Sequence, residues 1–533
     1  MKKKPGLWII GYFILVLAVL VPIGYLTVRV DPFFHYHMPD TAAYYYKLDN
    51  QRSQNDGIIR QFYYTGMITG TSMTENFKTS EAEELWGGSF IKVPFSGGSF
   101  KEINENIETA LQRNSALRVV IRGMETVKLG NDKDAMREDL GEYPTYLYDD
   151  NLLNDVEYIF NRDVVFTRVY DMTKANDEPD FEPGITSFDN YSNWSDRYLY
   201  GKNTLFPDGV NMKTPQPWSY RMTETLERMT RENVRQNVTD LADAYPDIEF
   251  YYFFTPYSAQ FWMQQVENGT LERLIDTERV AIEEILQHPN IRLYSFNCLF
   301  DLTTDLNNYK DYIHYGEWVN SMILRYMYEG KCRLTQENYE AYLAEEKEFY
   351  STYDYNLLNG QEDYMPDSYA AFLLAEKTGG YTGEVVDLSD PSLQLRHAEV
   401  VEDQYDGGKG ILCTGALPRD YLDTDGVLSD YLWNTDYIGF RLDIDDMTPY
   451  SFIAFYGRKL EDHGQPTVYI YDEEGNVLDE CWAVYRDLDS EWRMYAFNVS
   501  ALEGPASVIF QGGYIDNSGS PWSQFVFSRV LLY

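Results

Sequence analysis

Two short stretches carry residue types that do chemistry together. In Gly70-Thr71-Ser72-Met73-Thr74-Glu75-Asn76-Phe77 a serine sits on a Gly-x-Ser turn between an expected strand (Gly66 to Thr69) and an expected helix (Glu75 to Trp86). Asp311-Tyr312-Ile313-His314 offers an aspartate and a histidine three residues apart, just after the last expected strand of the same domain. A serine hydroxyl that projects beyond a sheet is a plausible nucleophile, and the next helix N-terminus brings backbone N–H groups to a developing oxyanion. The serine still needs a base and an orienter, and Asp-x-x-His supplies both. In this reading Ser72 attacks an acyl carbonyl, His314 takes and returns the proton, and Asp311 holds the imidazole tautomer. The Ser72 N–H, with Gly97 or Gly98, lines the oxyanion hole, because glycine backbone can approach a substrate closely.

Each half alone is also ordinary structure. A Gly-x-Ser serves as an N-cap or turn, and Asp-x-x-His can be a loop satisfying its own backbone. Histidine scarcity strengthens the pair, since the chain has 6 His in 533 residues. His35 and His37 lie just past an N-terminal apolar run, and His397 and His463 lie far down the chain. His288 precedes Pro289 at an expected helix end, where capping fits. His314 is the base by elimination and by position.

The elements that must position these residues alternate. Strands are expected at Tyr64–Thr69, Phe90–Pro94, Arg118–Ile121, Ile248–Thr255 and Ile291–Phe296. Helices are expected at Glu75–Trp86, Ser99–Asn114, Ser219–Tyr245, Leu271–Gln287 and Gly316–Tyr328. This alternation predicts an α/β domain over 31–360, with a parallel sheet covered on both faces and its site at the carboxyl ends of the strands. Ser72, Phe95-Ser96-Gly97-Gly98-Ser99, Arg122-Gly123, Thr255-Pro256-Tyr257-Ser258 and Asp311/His314 all follow strands and converge on one edge. An insertion at about 125–217, which includes Phe188-Asp189-Asn190-Tyr191-Ser192-Asn193-Trp194, is expected over the strand ends, as part of an acceptor cleft or as a structural cap. Arg122, Tyr257 and Trp194 are candidate substrate-binding residues. A helix at Gln336–Phe349 and a linker at 361–384 lead to an all-β region, 385–533. Its evenly spaced short strands suggest a β-sandwich or jelly roll, with Trp433, Trp482, Trp492 and Trp522 as core residues or glycan platforms.

Lys2, Lys3 and Lys4 precede an apolar run from about Leu7 to Val28. That length spans a bilayer, and the charge order puts the N-terminus in the cytoplasm and the bulk outside. No small-x-small cleavage site follows, so 1–30 reads as a retained single-pass anchor in the cell membrane. The formal net charge of −41 argues against nucleic-acid binding. Four cysteines are too few for a disulfide scaffold and fit no metal site. Cys298 with Cys332 and Cys413 with Cys481 allow one bridge per domain, or buried free thiols. The constellation requires no cofactor.

These residues resemble the SGNH/GDSL superfamily. The serine turn stands as its first motif, Ser96-Gly97-Gly98-Ser99 stands where the second supplies a glycine, and Asp311-x-x-His314 looks like the fifth. One departure is Ile121-Arg122-Gly123-Met124-Glu125, which offers no asparagine after the third strand, so Arg122 is a candidate replacement donor or a structural strut. The anchored layout is similar to the D-alanine transfer protein of teichoic-acid modification and to SGNH partners of alginate and cellulose acetylation, some of which carry a carbohydrate-binding sandwich. Thr71 to Phe77 looks like membrane-anchored SGNH proteins of Gram-positive anaerobes. The resemblance implies a serine O-acyltransferase at a Gram-positive-type cell surface. It would O-acetylate a polysaccharide acceptor, with a membrane-bound O-acyltransferase as donor partner. It implies as alternatives a carbohydrate O-acetyl esterase of the same fold, or a non-catalytic glycan-binding or assembly protein.

Overall fold

The computed structural model describes residues 5–137, 143–175, 181–195, 198, 200–206, 209–217, 220–362, 384–402, 408–414, 432–433, 436–459, 466–472, 474–481, 484–487, 492–499, 502–512 and 525–533. Lys2 to Lys4, nearly all of the expected linker, Trp482 and Trp522 lie outside the described residues. The chain divides into two compact units, Met1–Asp196 with Asn211–Asn356, and Arg197–Val210 with Leu357–Tyr533.

The first unit is α/β. Five strands, β1 (Gly66–Gly70), β2 (Phe90–Pro94), β3 (Val119–Met124), β4 (Glu249–Phe254) and β5 (Ile291–Ser295), form one parallel sheet in the order β2-β1-β3-β4-β5. Every residue of β1 and β2 is buried, which requires cover on both faces. The helices are α1 (Pro5–Val30), α2 (Gln51–Gln61), α3 (Thr79–Trp86), α4 (Phe100–Arg113), α5 (Glu224–Val234, continued through a π turn to Ala244), α6 (Ala259–Glu267), α7 (Leu271–Ile285), α8 (Glu317–Glu329) and α9 (Tyr339–Thr352). Helix α3 packs on α8, while α4 packs on α2 and α5, and α5 on α7. Ser99 caps α4: its hydroxyl accepts from Glu102 N–H, and the Glu102 carboxylate accepts from Ser99 N–H at 2.7 Å.

The helix expected from Glu75 differs. A single 3₁₀ turn, Ser72–Thr74, follows β1, and α3 starts only at Thr79. The Lys92 ammonium takes the carbonyls of Glu75 and Phe77, which a continuous helix would use for its own N–H groups. The sequence pattern also missed α2 and α6.

Within α1, Gly11–Val30 is 20 residues of mean hydropathy 2.3, long and apolar enough to cross a bilayer or to be a signal sequence. Its last turn belongs to the folded unit. Thr27 and Val30 are fully buried, Val30 O accepts from Tyr46 Oη at 2.7 Å, and Val30 joins Phe33, Leu147, Tyr158, Val164 and Val169 in one apolar cluster.

The second unit is an antiparallel β-sandwich. One sheet runs Ala398–Glu402, Lys409–Cys413, Phe525–Leu532, Phe452–Lys459, Trp492–Asn498, Val484–Asp487, with Glu384–Val385 beside Phe525–Leu532. The other runs Val477–Cys481, Thr467–Tyr471, Ala506–Gln511, Gly439–Ile444, Gln394–Arg396. Phe440 and Phe510 of one sheet meet Phe455 and Phe527 of the other in the core. Trp492 is buried, and Trp433 packs on the Arg441 guanidinium at 4.2 Å. Segment Arg197–Val210, expected over the active-site edge, belongs to this unit. Asn359 brackets Val210 through both backbone groups, at 2.8 and 3.0 Å. Cys298, Cys332 and Cys413 carry free thiols.

The turn after β1 depends on Gly70, at φ +151, where a Cβ would lie 2.6 Å from Thr74 Cγ2. Gly70→Ala is expected to destabilise the protein by more than about 1 kcal/mol, read as a lowered Tm. An unchanged Tm would refute this account of the turn.

Candidate active site

Ser72 opens the 3₁₀ turn at the carboxyl end of β1, with Thr71 as its N-cap. Its backbone N–H meets no acceptor among the described residues, as expected of a first-turn amide. Thr74, tucked against Gly70 and Gly123, makes the turn tight.

The histidine loop is shaped by its own aspartate. Asp311 Oδ1 accepts from the N–H groups of Ile313 (3.0 Å) and His314 (2.8 Å), an Asx turn. Tyr309 and Tyr315 pair across the base of the loop. Ser258, just after β4, ties the loop down through Tyr312 O, which accepts its hydroxyl at 2.8 Å. The serine turn and the histidine loop are clamped at Met73 O, which accepts from Asn320 Nδ2 (3.1 Å) and Tyr315 Oη (3.4 Å).

This brings Ser72 Oγ to 2.8 Å from His314 Nε2 and His314 Nδ1 to 2.8 Å from Asp311 Oδ2. The carboxylate therefore selects the tautomer with hydrogen on Nδ1, which leaves Nε2 to accept the serine proton. Burial pushes the Asp311 carboxyl up, but its hydrogen bond to His314 and the charges of His314 and Lys310 hold it well below 3.8. The His314 side chain is 19% exposed, so the serine–imidazole pair is open to a substrate.

A second set of residues holds this line. The Trp194 ring stands perpendicular to the imidazole, with centroids 5.6 Å apart. Its indole N–H donates to Glu75 Oε2 at 2.7 Å, and its backbone N–H donates to Asn76 Oδ1 at 3.0 Å. Lys310 Nζ lies 4.9 Å from the Trp194 ring centroid and 3.0 Å from Asp311 Oδ2. Glu75 is raised above the ordinary carboxyl range by burial, against the opposing hydrogen bonds of Gln51 and Trp194. Fully buried Lys92 donates to the carbonyls of Glu75, Phe77 (2.9 Å) and Asp189 (3.3 Å), and burial pulls its pKa down to about 7.

The structure thus brings Ser72, Asp311, His314 and Trp194 together and moves other candidates away. Arg122 is fully buried, donating to Asn237 O at 2.5 Å and Phe100 O at 3.3 Å, so it is a strut and not an oxyanion donor or substrate ligand. Tyr257 is also fully buried, 4.4 Å from the Phe261 ring, and cannot meet substrate. Gly98 gives its N–H to Phe95 O at 2.7 Å, which removes it from the oxyanion set. Gly97, at φ +62 with Arg137 Nη1 where a Cβ would stand, keeps an amide without an acceptor among the described residues. Its turn begins beside β1, where Phe95 N–H donates to Gly70 O at 2.8 Å. His288 pairs with Asp243 at 2.7 Å. Sequence reasoning missed Glu75, Lys92 and Lys310. Lys92 had a signal, being the lone charge in the apolar strand Phe90–Pro94.

Fold and site together define an α/β protein with a serine–histidine–aspartate line at its strand ends. No family model matches the chain, and no curated protein does. Among solved structures it is similar to a protein described as a platelet activating factor from Streptococcus pneumonia (11% identity, 52% of this chain and 89% of that one, TM-score 0.27). It is also similar to a two-domain esterase active on acetylated mannans (8% identity, 87% of this chain and 90% of that one, TM-score 0.22). At such values the likenesses carry no argument about the site, which rests on its own geometry.

Asp311 keeps its charge as the pH falls through the ordinary carboxylate range, because its folded pKa is depressed. Its stabilising share is present above about pH 4 and is lost only well below that. A loss of Ser72 reactivity between pH 7 and 5 must therefore follow another group. Asp311→Asn is expected to slow Ser72 acylation about 10,000-fold; a rate within tenfold of the parent would remove Asp311 from the mechanism.

Proposed function

We propose that the first unit is an SGNH-type serine acyl-transfer enzyme that carries an acyl group, acetyl in the simplest case, on Ser72 and delivers it to a hydroxyl of a cell-surface or secreted polysaccharide. The observation that supports this best is the continuous line from Ser72 Oγ through His314 to Asp311, with 2.8 Å at each step. His314 Nε2 takes the serine proton as Oγ bonds to the acyl carbon, and returns it to the departing group as that bond breaks. The acceptor hydroxyl then gives its proton to the same nitrogen, attacks the Ser72 ester, and frees Oγ to take the proton back. The free N–H groups of Ser72 and Gly97 are the oxyanion donors of this reading, each worth roughly 3 kcal/mol where correctly aimed. In this reading an acceptor sugar would stack on Trp194, whose ring centroid is 5.6 Å from that of His314. A membrane-bound O-acyltransferase supplies the acyl group to the outer face, and α1 keeps the unit at the membrane with its N-terminus in the cytoplasm.

The test uses the full chain in detergent, p-nitrophenyl acetate, and neutral oligosaccharides, followed by mass spectrometry of protein and sugar. An acetyl adduct on Ser72 that moves to sugar is the expected result. An adduct lost only to water would replace the transferase with a carbohydrate O-acetyl esterase. Equal labelling of the Ser72→Ala variant, or no adduct on the folded parent, would overturn the acyl-enzyme.

A further inference from the structure

The segment between β3 and α5 contains a feature the reaction does not use. Residues 143–175 wrap the outer end of α1 instead of covering the strand ends. Tyr158, Val164 and Val169 turn inward and pack with Val30 and Phe33. Leu152, Leu153, Val156, Phe160, Phe166 and Tyr170 turn outward and are between 41% and 85% exposed. So many bare apolar side chains in one short stretch mark an interaction surface.

Their position relative to α1 identifies the partner. The short helix Val156–Ile159 and the π turn Val164–Val169 both pack against α1. At Gly24 a Cβ would lie 3.2 Å from Ile159 Cγ2 and 3.5 Å from Phe160 Cζ, so the absent side chain admits this close approach. Gly24 lies six residues before Val30, the end of the apolar span, or about 9 Å along a helix. Phe160 therefore lies level with the last ~9 Å of the span, within the roughly 5–10 Å to which interfacial helices sink into a bilayer. Tyr25 and, Val16 excepted, residues 12–21 of α1 are bare in the same way, as lipid-facing residues are. Of the acidic residues here, Asp150 pairs with Arg60 and Arg113 at 2.7 and 2.5 Å and buried Asp155 meets His35 and Tyr36, while Glu157 is exposed and has room to turn toward water.

We propose that residues 151–170 form a membrane-seating collar around α1, whose outward side chains enter the outer interface of the lipid bilayer. The collar adds a second, surface-lying contact to the single span and fixes the orientation of the unit against the membrane. It rests on α1 crossing the bilayer, not on the acyl-transfer reading.

The test uses the full chain reconstituted in vesicles of phosphatidylcholine and phosphatidylglycerol (3:1), doped with a phosphatidylcholine that carries a diazirine in its acyl chain. After photolysis, lipid adducts are mapped by peptide mass spectrometry. The expected result is adducts in α1 and in residues 151–170, with none at exposed Tyr328 on α8. In a Leu153→Asp, Phe166→Asp variant that keeps the parent's melting curve, the collar adducts should fall to the Tyr328 level while those in α1 remain. Adducts confined to α1, or collar adducts unchanged in the variant, would overturn the proposal; the first pattern is also the one a protein partner covering this face would give.

Discussion

A lysine amine inside a sheet is costly unless it is fully solvated by the protein, since an unpaired buried polar group costs several kcal/mol. Lys92 is fully buried in β2 and meets that cost with three carbonyl oxygens, from Glu75, Phe77 and Asp189. Those carbonyls come from two distant parts of the chain, the segment after the candidate nucleophile and the returning insertion. The same bonds stop a helix from starting at Glu75, so Ser72 stands on one 3₁₀ turn. The position of the serine and that of the tryptophan beside its histidine thus share one buried lysine.

From that point the polar groups form a chain. Gln51 Nε2 donates to Glu75 Oε1 at 2.5 Å, Trp194 Nε1 to Glu75 Oε2, and the indole stands perpendicular to the His314 ring. On the other side Asp311 holds the imidazole and Lys310 touches both Asp311 and the indole face. The imidazole is therefore fixed by a carboxylate hydrogen bond and by an aromatic wall, each anchored separately. Such double support holds the serine–imidazole contact in one geometry, the preorganisation that the proposed acyl transfer would use. Asn193, Ser195 and Asp189 extend the anchoring to α3 and α8 through Glu317, Thr79 and Ser80.

The long insertion has three destinations. Its first part, 143–175, closes a small core around Val30 and leaves an apolar exterior level with the end of α1. Its middle, 184–195, returns to the site. A later part, Arg197–Val210, belongs to the sandwich unit, where Lys202 donates to Asn359 O and Gln361 O at 3.1 and 2.6 Å. One connection thus serves the end of α1, the candidate site and the second unit.

The sequence by itself determined the strands, the alternation that makes their sheet parallel, and the three residues of the serine–histidine–aspartate line. Apolar runs bounded by turn residues and a scarce histidine are local or compositional facts, which one sequence displays. Tertiary structure decided what depends on distant partners. Helix α2 buries Gln54, Asn55 and Asp56 beside Ile58 and Ile59, a mixed face that periodicity does not flag: Gln54 and Asn55 donate to backbone carbonyls and Asp56 pairs with Arg60. Arg122 was expected just past a strand, as a ligand would be, yet it lies within β3 and its side chain ends against two carbonyls inside the fold. Gly97 and Gly98 look alike in sequence, and only the turn closed by Phe95 O separates a free amide from an engaged one. Glu75 and Lys310 gave no signal, since a surface charge and a site charge are spelled the same way. Periodicity reports which side of an element is apolar; which distant atom a polar group meets is settled only when the chain closes on itself.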